Sequence, residues 1–70
     1  MSKAREAMRE AVAALRDTHA HLTAASEAAS RDRELLLADR LGAANARVVT
    51  LVHDLEPYLR YGAEKGEVTT

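Results

Sequence analysis

Three histidines, His19, His21 and His53, are the side chains in this 70-residue chain best suited to proton transfer or metal ligation. A metal site on a helix wants ligands at i and i+4, or a Glu-x-x-His pair repeated on a facing helix. His19 and His21 stand two apart and diverge on a helix, and His53 has no histidine within a turn of it. Cysteine is absent, which excludes disulfides and thiolate ligation. No Ser/His/Asp set, glycine-rich phosphate loop or pair of carboxylates on one apolar face can be assembled. The pattern predicts no enzyme, no metal and no cofactor. One aromatic cluster remains, Tyr58, Arg60 and Tyr61. Rings beside a guanidinium suit stacking on a planar ligand, and the same residues suit closing the end of a helical bundle.

Any such residues must be held by helices. Alanine dominates the apolar fraction, Trp and Phe are missing, and only Tyr58 and Tyr61 are aromatic, a composition of closely packed helices rather than sheets. Ten basic and eleven acidic residues leave a net charge of -1, without the positive surplus that non-specific nucleic-acid binding requires. No apolar run approaches the roughly 20 residues of a membrane span, and the N-terminus lacks a signal peptide's apolar core. A soluble, cytoplasmic protein is expected. A chain this short forms one small domain and generally needs oligomerisation, disulfides or metal for a comfortable stability margin.

The chain is organised around Leu35 to Leu55, which at a 3.6-residue period is apolar around most of its circumference. A helix apolar on more than one face must be covered from more than one side. The only other long segment, Ser2 to Ala29, covers one side. Its expected seam is Met1, Ala4, Met8, Ala11, Leu15, Thr18, Leu22, Ala25 and Ala29, with Ala7, Ala14, His21 and Ala28 widening the face. Ser2 is the expected N-cap, and Glu6 sits near the positive end of the helix dipole. Five polar residues, Ser30 to Glu34, predict a turn, with Ser30 or Asp32 capping the next helix. A single helix of about 60 residues is the competing reading, since neither Gly nor Pro marks that turn.

The second helix is expected over about residues 33–56. Its seam is Leu37, Leu41, Ala44, Val48, Leu51, Leu55 and Tyr58, flanked by Ala38, Val52 and Leu59. The expected hairpin core is therefore Met8, Leu15, Leu22, Leu37, Leu41, Val48, Leu51 and Leu55. Leu35, Leu36 and Val49 are left as a surplus apolar face, the expected oligomer interface. Gly42 marks a close helix crossing or a break, because glycine costs about 1 kcal/mol against alanine in a helix interior. Pro57 predicts a kink or end near Asp54–Glu56, followed by a short turn to 61. Gly62 is the expected C-cap, and 62–70 a flexible polar tail beyond a single domain at 1–61.

Within the organising stretch, Leu37-Ala38-Asp39-Arg40-Leu41-Gly42-Ala43-Ala44-Asn45-Ala46-Arg47-Val48-Val49-Thr50-Leu51 resembles a helix-turn-helix. The family's pattern is Leu-Ala-x-x-Leu-Gly-Val-Ser-x-x-x-Val-Ser-x-Leu. The resemblance implies a turn at Gly42, residues 33–52 as a DNA reader, and nucleic-acid contacts from Asn45, Arg47 and Thr50. Ala43 and Ala44 depart from the pattern where a larger apolar residue and a polar cap are usual. The layout of two helices, a charged turn and a polar tail is similar to Rop-like helical hairpin dimers, a likeness of architecture without a shared motif. Two functions are thus expected. The first is an all-α antiparallel hairpin assembling into a homo-oligomeric bundle, a non-enzymatic interaction or regulatory protein that binds itself, a partner protein or a small ligand between protomers. The alternative is a helix-turn-helix transcriptional regulator.

Overall fold

A computed structural model describes residues 3–61 of the chain. The expectations for Met1, Ser2, the side chains of Arg60 and Tyr61, Gly62 and the tail at 62–70 lie outside the described residues. Two helices, α1 (Lys3–Arg31) and α2 (Leu35–Tyr61), pack against each other as an antiparallel hairpin. This is the expected fold class. The hairpin is a rod, with a radius of gyration of 16.0 Å, against about 11 Å for a globular chain of this length.

Alanine makes α1 cheap to form, and the ends agree with the helix dipole: Glu6 lies in its first turn and Arg31 in its last. Its C-terminus is closed by a Schellman motif. The Glu34 N–H donates to the Ala29 carbonyl at 2.9 Å and the Arg33 N–H to the Ser30 carbonyl at 3.1 Å. Such a cap requires a left-handed residue, and Arg33 supplies it with φ 63°. For a residue with a Cβ that conformation costs roughly 1–2 kcal/mol, which is why glycine is usual there. Ser30 and Asp32 therefore finish α1, contrary to the expectation that one of them caps α2. The first backbone bond of α2, from the Ala38 N–H to the Glu34 carbonyl at 2.9 Å, puts Glu34 at its N-cap.

Neither Gly42, read as a crossing or a break, nor Pro57, read as a kink or end near Asp54–Glu56, ends the second helix. α2 continues through Pro57 to Tyr61. Pro57 is exposed on the outward side, so the His53 carbonyl that loses its partner can be hydrated, while Leu55 and Leu59 hold the last turns against α1. The Arg5 Nη1 donates to the Tyr58 carbonyl at 2.9 Å, satisfying one acceptor of the final turn. Gly42 is helical and neither a break nor a crossing: a Cβ built on it meets nothing within 4 Å. Gly42→Ala should accordingly stabilise the hairpin by about 1 kcal/mol, read as a melting temperature about 4–8 °C higher. A lower melting temperature would show that something approaches this backbone.

The helices meet along seams that alternate steps of three and four. On α1 the seam is Met8, Val12, Leu15, His19, Leu22, Ser26 and Ala29; on α2 it is Ala38, Leu41, Asn45, Val48, Val52, Leu55 and Leu59. Among the described residues only Val12 and Ala29 are buried, at 1% and 4% exposure. Met8, Leu15, Leu22, Leu41, Val48 and Leu55 are half-buried on these seams. Leu37 and Leu51, expected in the core, are instead 46% and 48% exposed. Each helix is turned by about half the angle between neighbouring residues from the expected seam. Ala11, Thr18 and Ala25 thereby give way to Val12, His19 and Ser26, and Leu37, Ala44, Leu51 and Tyr58 give way to Ala38, Asn45, Val52 and Leu59.

Candidate functional site

The polar residues on the seam satisfy one another. His19 Nδ1 lies 2.9 Å from the Asn45 Oδ1. The Asn45 Nδ2 donates to the Thr23 Oγ1 at 3.0 Å, and the Thr23 hydroxyl donates to the His19 carbonyl at 2.9 Å. An amide oxygen only accepts, so this contact is a hydrogen bond with the His19 proton on Nδ1, and the three bonds then close into a ring. Towards the turn, the Ser26 hydroxyl donates to the Ala38 carbonyl at 3.4 Å. Periodicity read on each helix alone missed Val12, His19, Thr23 and Ser26. The signal that could have found Val12, His19 and Ser26 is the unbroken four-three spacing from Met8 through Val12, Leu15, His19, Leu22 and Ser26 to Ala29; Thr23 lies outside it, one turn after His19.

This ring consumes a residue expected to read bases. Asn45 faces α1, whereas Arg47 and Thr50, three residues apart, share the outward side of α2, with the Thr50 hydroxyl donated to the Ala46 carbonyl at 3.0 Å. Asn45, held against α1, cannot enter a groove together with the two that face outward. The turn that a helix-turn-helix needs at Gly42 is helical here. Of the stacking cluster, Tyr58 is 61% exposed. His21 and His53 lie away from the ring, and no three possible metal ligands cluster among the described residues.

The hairpin's two broad faces differ in charge. On one, Arg16 pairs with Glu56 at 3.3 Å, and His53 Nδ1 approaches Glu56 at 4.0 Å. Both partners of the Arg16–Glu56 pair are open to water, so it stabilises the fold by no more than about 1 kcal/mol. A shallow groove on this face runs past Arg16, His19, Val49, Val52, His53 and Glu56. The expected interface residues do not form one patch. Leu35 and Val49 align on this polar side, with Gly42 between them, whereas Leu36 is turned about 100° away. Around the turn, Leu35, Leu36 and Leu37 border a shallow depression with Glu34 and Arg40.

On the other face, antiparallel packing sets one row of α2 beside two rows of α1. The α2 row is Leu37, Ala44, Leu51 and Tyr58. The α1 rows are Ala4, Ala11, Thr18 and Ala25, then Ala7, Ala14, His21 and Ala28. A groove formed by Ala4, Arg5, Met8 and Tyr58 marks where the two helices' rows meet near the open end. None of these rows contains a formally charged residue; Arg40, Arg47 and Asp54 border them on α2. Comparison with known proteins brings no relative: no family model matches the chain, and neither a curated protein nor a solved structure does.

Proposed function

We propose that this chain is a non-enzymatic helical protein that works by association, first with its own copies as a homo-oligomeric bundle and through that bundle with a partner protein or small ligand. A regulatory role in the cytoplasm belongs to this reading; no described helix is long and apolar enough to cross a membrane. One observation carries it. Two residues are buried, while five leucines and valines and a tyrosine in the described chain stay largely exposed: Leu35, Leu36, Leu37, Leu51, Val49 and Tyr58. Of these, Leu37, Leu51 and Tyr58 share one face, and a contiguous exposed apolar patch is what marks an interaction site. Sedimentation equilibrium at micromolar concentration should find an oligomer. A stable, fully helical monomer under those conditions would remove the basis of the reading.

No observation favours the DNA-binding alternative. Duplex affinity depends on phosphate contacts, and Arg33, Arg40 and Arg47 on the would-be reader are offset by Asp32, Glu34 and Asp39. Fluorescence anisotropy at physiological salt should find no duplex binding tighter than about 10 µM, near the usual range for non-specific contacts. Nanomolar, sequence-selective binding abolished by Arg47→Ala would restore the helix-turn-helix.

A further inference from the structure

We infer that the second copy docks on the face presenting Leu37, Leu51 and Tyr58, and that the two copies lie with their turns at the same end, each α1 seated on the other's α2. The inference rests on the self-association proposed above and names its surface. Size is the first argument. A 29-residue helix is roughly 44 Å long, and two helices side by side are roughly 20 Å wide. The face thus offers close to the ~800 Å² per partner of a stable protein interface. Charge is the second argument. The opposite face holds the Arg16–Glu56 pair at its middle, which would have to be stripped of water, whereas the formal charges of this face, Arg5 at its open end and Arg40, Arg47 and Asp54 along its border, flank the uncharged rows.

Shape decides the arrangement. Inside one copy the bonds His19–Asn45 and Ser26–Ala38 show which residues share a level along the rod. By that register Leu51 is level with Ala14, Tyr58 with Ala7, and Leu37 with Ala28. With turns at the same end, levels are kept, and each α2 faces the other copy's α1. Every large side chain then meets an alanine, and the small Ala44 meets His21. Alternation of large and small across a contact is what lets helices interdigitate at short separation. With turns at opposite ends, α1 would face α1 and α2 would face α2, alanine against alanine and leucine against leucine.

The test uses two neighbouring alanines that point to opposite faces, both exposed. Sedimentation equilibrium of the full chain should show Ala14→Glu weakening the dimer at least about tenfold and Ala13→Glu changing it less than about threefold, with helicity by circular dichroism unchanged in both. Leu51→Lys alone should also dissociate the dimer. Mixing the Ala14→Glu and Leu51→Lys chains should restore association that neither has by itself. In the mixed dimer the two introduced side chains, opposite in charge, face each other at one contact, and the other contact is native. A monomeric wild type would overturn self-association itself. A dimer indifferent to Ala14→Glu but broken by Val49→Asp would overturn this face while leaving self-association standing. Dissociation by Ala14→Glu without rescue on mixing would overturn the arrangement of the rows.

Discussion

Val12→Asp should leave the chain without a folded hairpin at 25 °C. Val12 is the one described side chain with essentially no exposure, at mid-seam between Met8 and Leu15. Removing a buried valine forfeits about 1.5–3 kcal/mol of apolar burial. The carboxylate adds several kcal/mol of desolvation, of which pairing with Arg9 or Arg16, one turn away on the same helix, recovers no more than about 1 kcal/mol. Together these exceed the roughly 3–5 kcal/mol that a core in a chain below about 70–80 residues supplies. Circular dichroism at 222 nm should show most of the helical signal lost, whereas Val12→Ala should still fold with a lowered melting temperature. Native-like melting of Val12→Asp would mean that α1 is turned differently, with Ala11 inward as periodicity alone suggested.

The second large effect is expected from Ala43→Pro. Ala43 is exposed and packs against nothing essential, so the substitution reads the backbone alone. Inside a continuous helix, proline removes one hydrogen bond and its ring collides with the carbonyl four residues earlier, here that of Asp39. That costs about 3 kcal/mol or more, and for a domain of this size it lowers the melting temperature by on the order of 15 °C. At a turn following Gly42 the same proline would be nearly harmless. Thermal melts of Ala43→Pro beside Gly42→Ala thus separate a straight α2 from a helix-turn-helix. Destabilisation by the first with stabilisation by the second is the expected pair of results.

How far the sequence was legible depended on whether the information was local. Alanine content and a heptad period made both helices readable, and the polar run Ser30 to Glu34 located the turn. The device closing that turn was not readable, because Arg33 in a left-handed conformation obeys no local preference. The seam was half readable. Met8, Leu15 and Leu22 with Leu41, Val48 and Leu55 belong to any apolar seam that can be drawn. Their companion rows were chosen by hydrophobicity, which prefers Ala11, Thr18 and Ala25 to Val12, His19 and Ser26, and Leu37, Ala44 and Leu51 to Ala38, Asn45 and Val52. Asn45 is tolerable on the seam only because His19 and Thr23 wait opposite it, and no reading of one helix at a time contains that fact. Pro57 misled for a similar reason: what it disturbs depends on which way it faces. Of the candidate site, Leu35, Leu36 and Val49 were chosen as leftovers of an imperfect seam. The structure leaves these three exposed, and the turned seam adds Leu37 and Leu51 to them.

The ring of His19, Asn45 and Thr23 also removes a degeneracy. Leu41, Val48 and Leu55 recur every seven residues, as do Met8, Leu15 and Leu22. To the apolar contacts alone, α2 slid by one heptad looks almost the same as α2 in place. The ring does not repeat. Sliding α2 by seven residues would bring Val52 or Ala38 opposite His19 and send Asn45 to face Val12 or Ser26, leaving donors and acceptors without counterparts in the new alignment. Asparagine on an apolar seam is a known setter of alignment between paired helices. In this hairpin it acts as a parity check on a repetitive code, rejecting alignments that the leucines alone would accept.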